Sequence, residues 1–442
     1  MSNLKDNYPL DVVLFSSPKY WEEKTALAEI ITDLHAQLSA EIGDDSGELI
    51  KFHWVFSAID AAGIETFRAN TPVLFVPLSG GVQRWMLELS RRCDIVCILN
   101  AYLPDFGLPH KIGTQLLKRN AHPACTDLFS FLRMQERRVF WLSSMIEFRE
   151  FWTAWQCVER LRHSRLLQVG ETEPWVINSC QNPKRFRQVF GTEIDRVTKD
   201  ELYSRIKEAN EDEVQALAKK WLDGSRKTGS ISPEDVTESA RTAVGLQRLL
   251  SYYEANGIAL ACFSMIHDLN TTACMAFGHL NQQKEFIAAC EGDLDAAITM
   301  LILRTLGADY IWMGNPIIHR DNRLDLVHCS ASMGTGVENF EYSLNSHHES
   351  GKGVSPVVKI PAQRSVTMCR IGNDLNDMLI CRGLTAGNPK LPTCRTQSTI
   401  KIESSESLVN NLLGTHIIAS FGDFRPELRC LAKLLNLRKL EC

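Results

Sequence analysis

Short apolar runs that alternate with amphipathic helical segments constrain the fold of this chain more than any other feature. In the first 170 residues, apolar runs at 11–15, 72–77 and 95–99 are each followed by a segment with helical spacing. Connections long enough to contain a helix allow consecutive strands to be parallel, and this alternation is typical of doubly wound α/β sheets. The pattern therefore predicts parallel sheets covered by helices.

The pattern changes after residue 330. Short strand-like runs at 354–360, 365–371, 377–381 and 397–402 are separated by Gly, Asn and Pro, which predicts an antiparallel sheet or barrel. Between the two patterns lies a charged helical region, where Ser232 followed by Pro233 is a strong helix start and Asn256-Gly257 a strong stop.

Composition limits the class of protein. The net charge of −5, from 48 basic and 53 acidic residues, argues against non-specific nucleic-acid binding, which needs a basic surface. The 14 cysteines form no Cys-x-x-Cys pair and several lie in apolar runs, which favours a reducing compartment. The first residues do not resemble a signal peptide, and we find no apolar run of membrane-spanning length. We therefore expect a cytoplasmic protein without a membrane partner.

A carboxylate at a predicted strand-to-helix junction is the first candidate for chemistry. The segment Ala289-Cys290-Glu291-Gly292-Asp293 follows a short apolar run and opens a helical pattern that ends near Gly307. A second buried strand is expected at 310–313, ended by Gly314-Asn315-Pro316. Glu291 and Asn315 are then expected at the carboxyl ends of strands, where open α/β sheets place their sites. The simpler interpretation is a Glu that interacts with a helix dipole and an Asn-Pro turn.

These residues resemble the core of the L-fucose isomerase family, which includes D-arabinose isomerase-like members. In that family a Glu in an Ala-Cys-Glu-Gly/Ala-Asp segment, a later Asp and a His before Gly-Asp hold a divalent metal, usually manganese. The matching residues here are Glu291, Asn315, which lies 315 − 291 = 24 positions further on, and His416, six residues before Gly422-Asp423. The resemblance implies Mn²⁺ (or Mg²⁺) held by these three residues, with Glu291 and Asn315 in the catalytic positions. Asn315 stands where the family has Asp.

The resemblance also implies a layout. It predicts an α/β protein with two Rossmann-like α/β domains, at 1–165 and at 166–325, the second carrying Glu291 and Asn315. A C-terminal antiparallel, barrel-like β-rich domain at 326–442 would carry His416. The resemblance further implies a homo-oligomer, a trimer or hexamer, in which the Ser79–Gln83 segment enters a neighbour's site. The residues expected to contact substrate are Ser79, Gly80, Gly81, Gln83, His328 and Arg395.

The implied function is a metal-dependent aldose–ketose isomerase that acts on a sugar or sugar derivative through a cis-enediol. Asn315 leaves two alternatives open, because an amide can offer an oxygen to a metal but cannot act as a general base. One is a repurposed member that uses an enediolate for epimerisation or carbon–carbon cleavage, and the other is a catalytically silent sugar-binding relative. The nearest titratable residues in sequence that could replace the missing carboxylate are Asp268, Asp293, His319 and His328. Lys352 is a further candidate for contact with a substrate, and His347-His348 is expected to be an ordinary loop.

Overall fold

The computed structural model describes residues 8–20, 24–44, 46–100 and 114–442. The chain divides into two compact units, Asn3–Thr153 and Ala154–Cys442. Each unit is built around its own sheets.

The first unit contains one five-stranded parallel sheet of order β2-β1-β3-β4-β5, the order of doubly wound flavodoxin-like sheets. Its strands are β1 (Leu10–Phe15), β2 (Ile50–Val55), β3 (Pro72–Pro77), β4 (Ile95–Leu99) and β5 (Arg138–Leu142). The helices are α1 (Lys24–Ile42), α2 (Ala58–Gly63), α3 (Gln83–Ser90) and α4 (Thr114–Met134), followed by α5 (Met145–Arg162). Every residue of β3 and β4 is buried, as expected for strands with helices on both faces of the sheet.

The second unit begins with a four-stranded parallel sheet of order β7-β6-β8-β9. Its strands are β6 (Arg165–Val169), β7 (Glu193–Val197), β8 (Gly257–Leu260) and β9 (Ile287–Ala289). The helices of this part are α6 (Pro183–Val189), α7 (Lys199–Lys207), α8 (Glu211–Gly224), α9 (Pro233–Tyr252), α10 (Ser264–Asp268), α11 (Cys274–Gln282) and α12 (Leu294–Thr305). Ser232 caps α9 through a capping box and Pro233 is its first residue, so the predicted helix start is confirmed.

The C-terminal part of the second unit is a closed barrel. Six antiparallel strands follow the order β14-β17-β10-β11-β16-β15, and the pairing of β14 with β15 closes the ring. The strands are β10 (Ile311–Ile318), β11 (Arg323–His328), β14 (Ser365–Gly372), β15 (Asp377–Gly387), β16 (Thr396–Ile402) and β17 (Ile417–Phe421). Closure leaves these six strands without a free edge.

The remaining elements extend the barrel. A short hairpin consists of β12 (Tyr342–Asn345) and β13 (Ser355–Val358), and the helices are α13 (Ser405–Asn410) and α14 (Arg425–Leu434). The last strand, β18 (Arg438–Glu441), pairs in parallel with β15. A disulfide joins Cys381 of β15 to Cys442. This pairing was not predicted, because the sequence favoured reduced thiols.

The mixed α/β class with parallel sheets and a C-terminal antiparallel β-barrel is confirmed. The assignment of the parallel-sheet parts to Rossmann-like domains stays a prediction, as does the three-domain division at residues 165 and 325. Among the described residues, no helix is both long and apolar enough to cross a membrane. The cytoplasmic location and the oligomeric state also stay predictions.

Candidate active site

Strand register in the barrel brings three predicted site residues to the same level. β10 pairs with β17 so that Gly314 lies opposite Ile417, and with β11 so that Asn315 lies opposite Val327. His416 comes immediately before Ile417 and His328 immediately after Val327. Asn315, His416 and His328 therefore lie at one level of three adjacent strands.

The predicted placement of Asn315 at the end of a parallel strand is wrong. β10 runs without interruption from Ile311 to Ile318 and pairs only with antiparallel barrel strands within the described part of the chain. Pro316 does not break the strand because β10 has separated from β17 by residue 315 and keeps one neighbour, β11. Proline is tolerated where one side of a strand is free of ladder hydrogen bonds.

Glu291 lies in a tight turn between β9 and α12. Its φ is +61° and that of Gly292 is +63°, so two consecutive residues have left-handed backbone conformations. A Cβ atom at position 292 would lie 2.9 Å from Cα of Thr172, so this position requires glycine. A non-glycine residue at positive φ costs roughly 1 kcal/mol, and such strained positions cluster at functional sites.

The turn directs the Glu291 carboxylate towards the barrel residues. Trp175 Nε1 donates to Glu291 Oε2 at 2.8 Å, and Oε1 lies 3.6 Å from His416 Nε2. The Glu291 side chain is 12% exposed. Although burial raises the pKa of Glu291, the neighbouring His416 ring outweighs it and leaves this pKa below its ordinary value.

A buried ion pair fixes the orientation of His416. Asp293 caps α12 by accepting from Ala296 N, and the Arg370 guanidinium makes two hydrogen bonds to its carboxylate, at 2.7 and 3.1 Å. His416 Nδ1 lies 2.7 Å from Asp293 Oδ2. Because Asp293 is ionised and can only accept, Nδ1 carries the proton and Nε2 is left to face Glu291. Burial raises the pKa of Asp293, but Arg370 and His416 outweigh burial and hold this pKa below its ordinary value.

The site has one imidazole nitrogen that the protein alone does not satisfy. His416 Nε2 is buried and has no hydrogen-bond partner among the described residues. Potential ligand atoms of Glu291, His328 and His416 all lie within 4.8 Å of one another. Carboxylate and imidazole donors suit divalent first-row metals such as manganese and zinc, so these residues fit a metal ion.

Asn315 and His328 line, together with Glu291, a cavity with a volume of about 150 Å³. Thr415 Oγ1 donates to Asn315 Oδ1 at 3.2 Å. His328 Nδ1 accepts from Ser330 N at 3.3 Å, which places the proton of a neutral ring on Nε2. Burial lowers the pKa of His328 to about 4, so this side chain is a neutral hydrogen-bond donor near pH 7.

We expect the stability of the metal-free protein to fall with rising pH because of His416. Burial lowers the pKa of this residue, but the neighbouring carboxylates of Asp293 and Glu291 outweigh it and raise the pKa to about 9, against about 6.5 in an unfolded chain. The stabilisation is therefore complete below about pH 6.5 and is lost as the pH rises through about 9. Urea unfolding with a chelator at pH 7 and pH 8 measures the change. The wild-type free energy of unfolding should fall by about 1.2 kcal/mol more than that of His416→Gln; equal pH slopes would contradict the assignment.

The other predicted residues do not line this cavity. Arg395 donates from Nε to Ser346 O at 2.7 Å. Asp268 accepts from the Tyr203 hydroxyl at 2.8 Å, and His319 pairs with Asp325 at 2.7 Å. His347 N donates to Lys352 O at 3.0 Å, and Lys352 N donates to Ser350 Oγ at 3.2 Å. Roles of Arg395 and Lys352 in substrate binding stay predictions.

The Ser79–Gln83 segment belongs to the first unit. Ser79 is fully buried, and its Oγ accepts from Ser17 N at 2.9 Å. Gly80 packs closely on Asn120, where a Cβ would lie 2.8 Å from the backbone oxygen. Gly81 has a φ of +78° and Gln83 is the first residue of α3. The donation of this segment to a neighbouring subunit stays a prediction.

Sequence reasoning missed several residues around the cavity. Arg370 could have been found, because a single charged residue within the strand-like run 365–371 indicates a buried charge that needs a partner. Trp175 carried no such signal. His347 and His348 lie in the loop between β12 and β13, as expected, but the sequence did not show that both line the cavity with Glu291.

Comparison with known proteins supports the broad class. No protein-family model matches the chain. It is similar to a sulfoquinovose isomerase of Alkalicoccus urumqiensis, 23% identical over 357 residues that cover 74% of each chain. It is also similar to a sulfoquinovose isomerase of Priestia aryabhattai, 22% identical over 304 residues, which cover 63% of this chain and 65% of that protein. These relatives support an enzyme that isomerises a sugar, and they name no L-fucose or D-arabinose isomerase.

Proposed function

We propose that this chain is a metal-dependent aldose–ketose isomerase whose site is formed by Glu291, Asn315 and His416. The observation that carries the proposal is His416 Nε2, a buried nitrogen without a partner among the described residues, 3.6 Å from Glu291 Oε1. Asp293 orients that nitrogen as an outer-shell partner orients a metal-binding histidine. The similarity to sulfoquinovose isomerases supports the sugar substrate.

Three side chains would hold the ion. Glu291 supplies a carboxylate, His416 supplies Nε2 and Asn315 supplies Oδ1. His328 is the weaker candidate because its Nδ1 accepts from Ser330 N, so binding a cation through Nε2 would require the other tautomer and the loss of that bond. When bound, the cation supplies Lewis-acid stabilisation of the negative charge that develops on the sugar oxygens at C1 and C2.

The protein supplies proton transfer and orientation. The low pKa of Glu291 keeps its carboxylate ionised, so it can take the proton from the carbon next to the carbonyl and return it to the neighbouring carbon. Removal of that proton gives an enediolate. As the ketose forms, the proton of the C2 hydroxyl passes to the oxygen at C1, so the step needs no second carboxylate at position 315. His328, neutral and protonated on Nε2, donates a hydrogen bond to a substrate oxygen.

Incubation of the protein with Mn²⁺ and a panel of aldoses that includes sulfoquinovose tests the function. NMR of the products should show a ketose from at least one sugar. An epimer or a shortened chain would indicate the repurposed activity, and calorimetric sugar binding without any product would indicate a silent relative; either result would overturn the proposal.

The substitution Asn315→Asp is expected to raise Mn²⁺ affinity roughly tenfold, or about 1.4 kcal/mol, because a charged oxygen binds a hard cation more tightly than an amide oxygen. The new carboxylate can still accept the hydrogen bond from Thr415 Oγ1. Titration with Mn²⁺ measures the change, with Asn339→Asp, an asparagine that accepts from Gln282, as the matched control. Unchanged affinity in Asn315→Asp, together with loss of binding in Glu291→Ala, would show that Asn315 does not bind the metal.

A further inference from the structure

A second cluster of metal-binding side chains lies in the wall of the same cavity. Cys329, His348 and Cys394 bring their potential ligand atoms within 4.8 Å of one another. Cys329 Sγ and His348 Nδ1 are 3.4 Å apart. Both cysteines are buried, and His348 is half-buried.

A third thiol joins this group. Cys274 is buried and belongs to the same buried cluster as Cys329 and Cys394. The four residues come from separate places in the fold, since Cys274 begins α11, Cys329 follows β11, His348 lies between β12 and β13, and Cys394 precedes β16. Three donors from separate segments, Cys329, His348 and Cys394, therefore come together, and Cys274 lies in the buried cluster beside them.

The spacing of these donors fits a tetrahedral ion. Zinc binds sulfur at about 2.3 Å and imidazole nitrogen at about 2.0 Å, so tetrahedral geometry places the sulfur and nitrogen about 3.5 Å apart. The observed 3.4 Å between Cys329 Sγ and His348 Nδ1 agrees. Thiolates and imidazole select zinc over the hard cations that prefer oxygen ligands.

We propose that Cys274, Cys329, Cys394 and His348 bind a structural zinc ion, distinct from the ion proposed at Glu291 and His416. Four protein ligands make a closed site, the arrangement of structural zinc. Such an ion ties α11, the end of β11, the β12–β13 loop and the start of β16 together. The wall of the cavity beside Glu291 and His328 would thereby be held in place. The inference does not depend on the proposed isomerase activity.

Cobalt substitution tests the site directly. The full chain is treated with a chelator under reducing conditions, and Co²⁺ is then added. One equivalent should produce thiolate-to-cobalt charge-transfer absorption and the intense visible bands of tetrahedral Co²⁺, and zinc should abolish both. Cys329→Ser should lose the charge-transfer band at least in large part, whereas the matched control Cys369→Ser, a buried cysteine of β14, should keep it.

Two further variants keep the test decisive if Cys329→Ser does not fold. His348→Gln leaves three thiolates and should retain charge transfer with zinc affinity reduced at least tenfold. Glu291→Gln should leave the spectrum unchanged, because that residue belongs to the other site. A folded, reduced protein without charge transfer would overturn the proposal, as would a Cys329–Cys394 disulfide under these conditions or a spectrum lost in Glu291→Gln.

Discussion

Glu291→Gln is expected to lower the rate of sugar isomerisation by at least about a thousandfold, since it removes both a metal ligand and the proposed proton acceptor. Glutamine has the same shape and keeps an oxygen that can accept from Trp175 Nε1. The charge that His416 faces is lost. The lower rate should therefore appear as a reduced kcat, while the protein remains folded.

Initial rates of ketose formation at saturating Mn²⁺ measure the effect, with circular dichroism to check the fold. Glu341→Gln is the matched control, because that glutamate pairs with Arg226 and Lys359 at the surface of the same unit. It should keep nearly full activity. If Glu291→Gln retains a tenth of the wild-type rate, Glu291 is not the base.

Asp293→Asn is expected to lower the free energy of unfolding by about 3–5 kcal/mol, because it leaves a buried arginine without the ionised carboxylate to which it is hydrogen-bonded. The Arg370 side chain is 1% exposed and that of Asp293 is 0% exposed. An amide also gives His416 Nδ1 a weaker acceptor, so Mn²⁺ affinity should fall by about 10- to 100-fold. One substitution thus affects both stability and the site.

Urea unfolding and Mn²⁺ titration measure the two effects. Asp423→Asn is the control for stability, because Asp423 pairs with Arg425 near the surface, where such pairs contribute at most about 1 kcal/mol. In the double variant Asp293→Asn/Arg370→Met, part of the lost stability should return, while Mn²⁺ binding stays weak. Equal destabilisation by Asp293→Asn and Asp423→Asn would contradict a central role for the buried pair.

Local patterns predicted the elements of this fold because they depend on residues close in sequence. The Ser232-Pro233 helix start follows from one side chain and its neighbours, and it was found where expected. The short C-terminal runs separated by turn residues predicted the antiparallel strands for the same reason. Glu291 was placed correctly after β9, because a strand-to-helix junction is a local feature.

Features that depend on distant pairings could not be derived in this way. The register between β10 and β17 sets Asn315 beside His416, which lies 101 positions later (416 − 315). The partner of Asp293 is Arg370, 77 positions away. The thiol cluster joins residues from four segments that are far apart in sequence, between positions 274 and 394. Hydrophobic periodicity carries no information about any of these contacts.

The rate of ketose formation before and after metal is restored to one sample tests the central claim most directly. The protein is treated with a chelator, dialysed and supplied with sulfoquinovose, and the reaction is followed by NMR as Mn²⁺ is added. The account predicts almost no ketose without metal and its formation after about one equivalent of Mn²⁺ per site at Glu291 and His416. Equal rates with and without metal, or no ketose from sulfoquinovose or any aldose of the panel in the folded, metal-loaded protein, would contradict it.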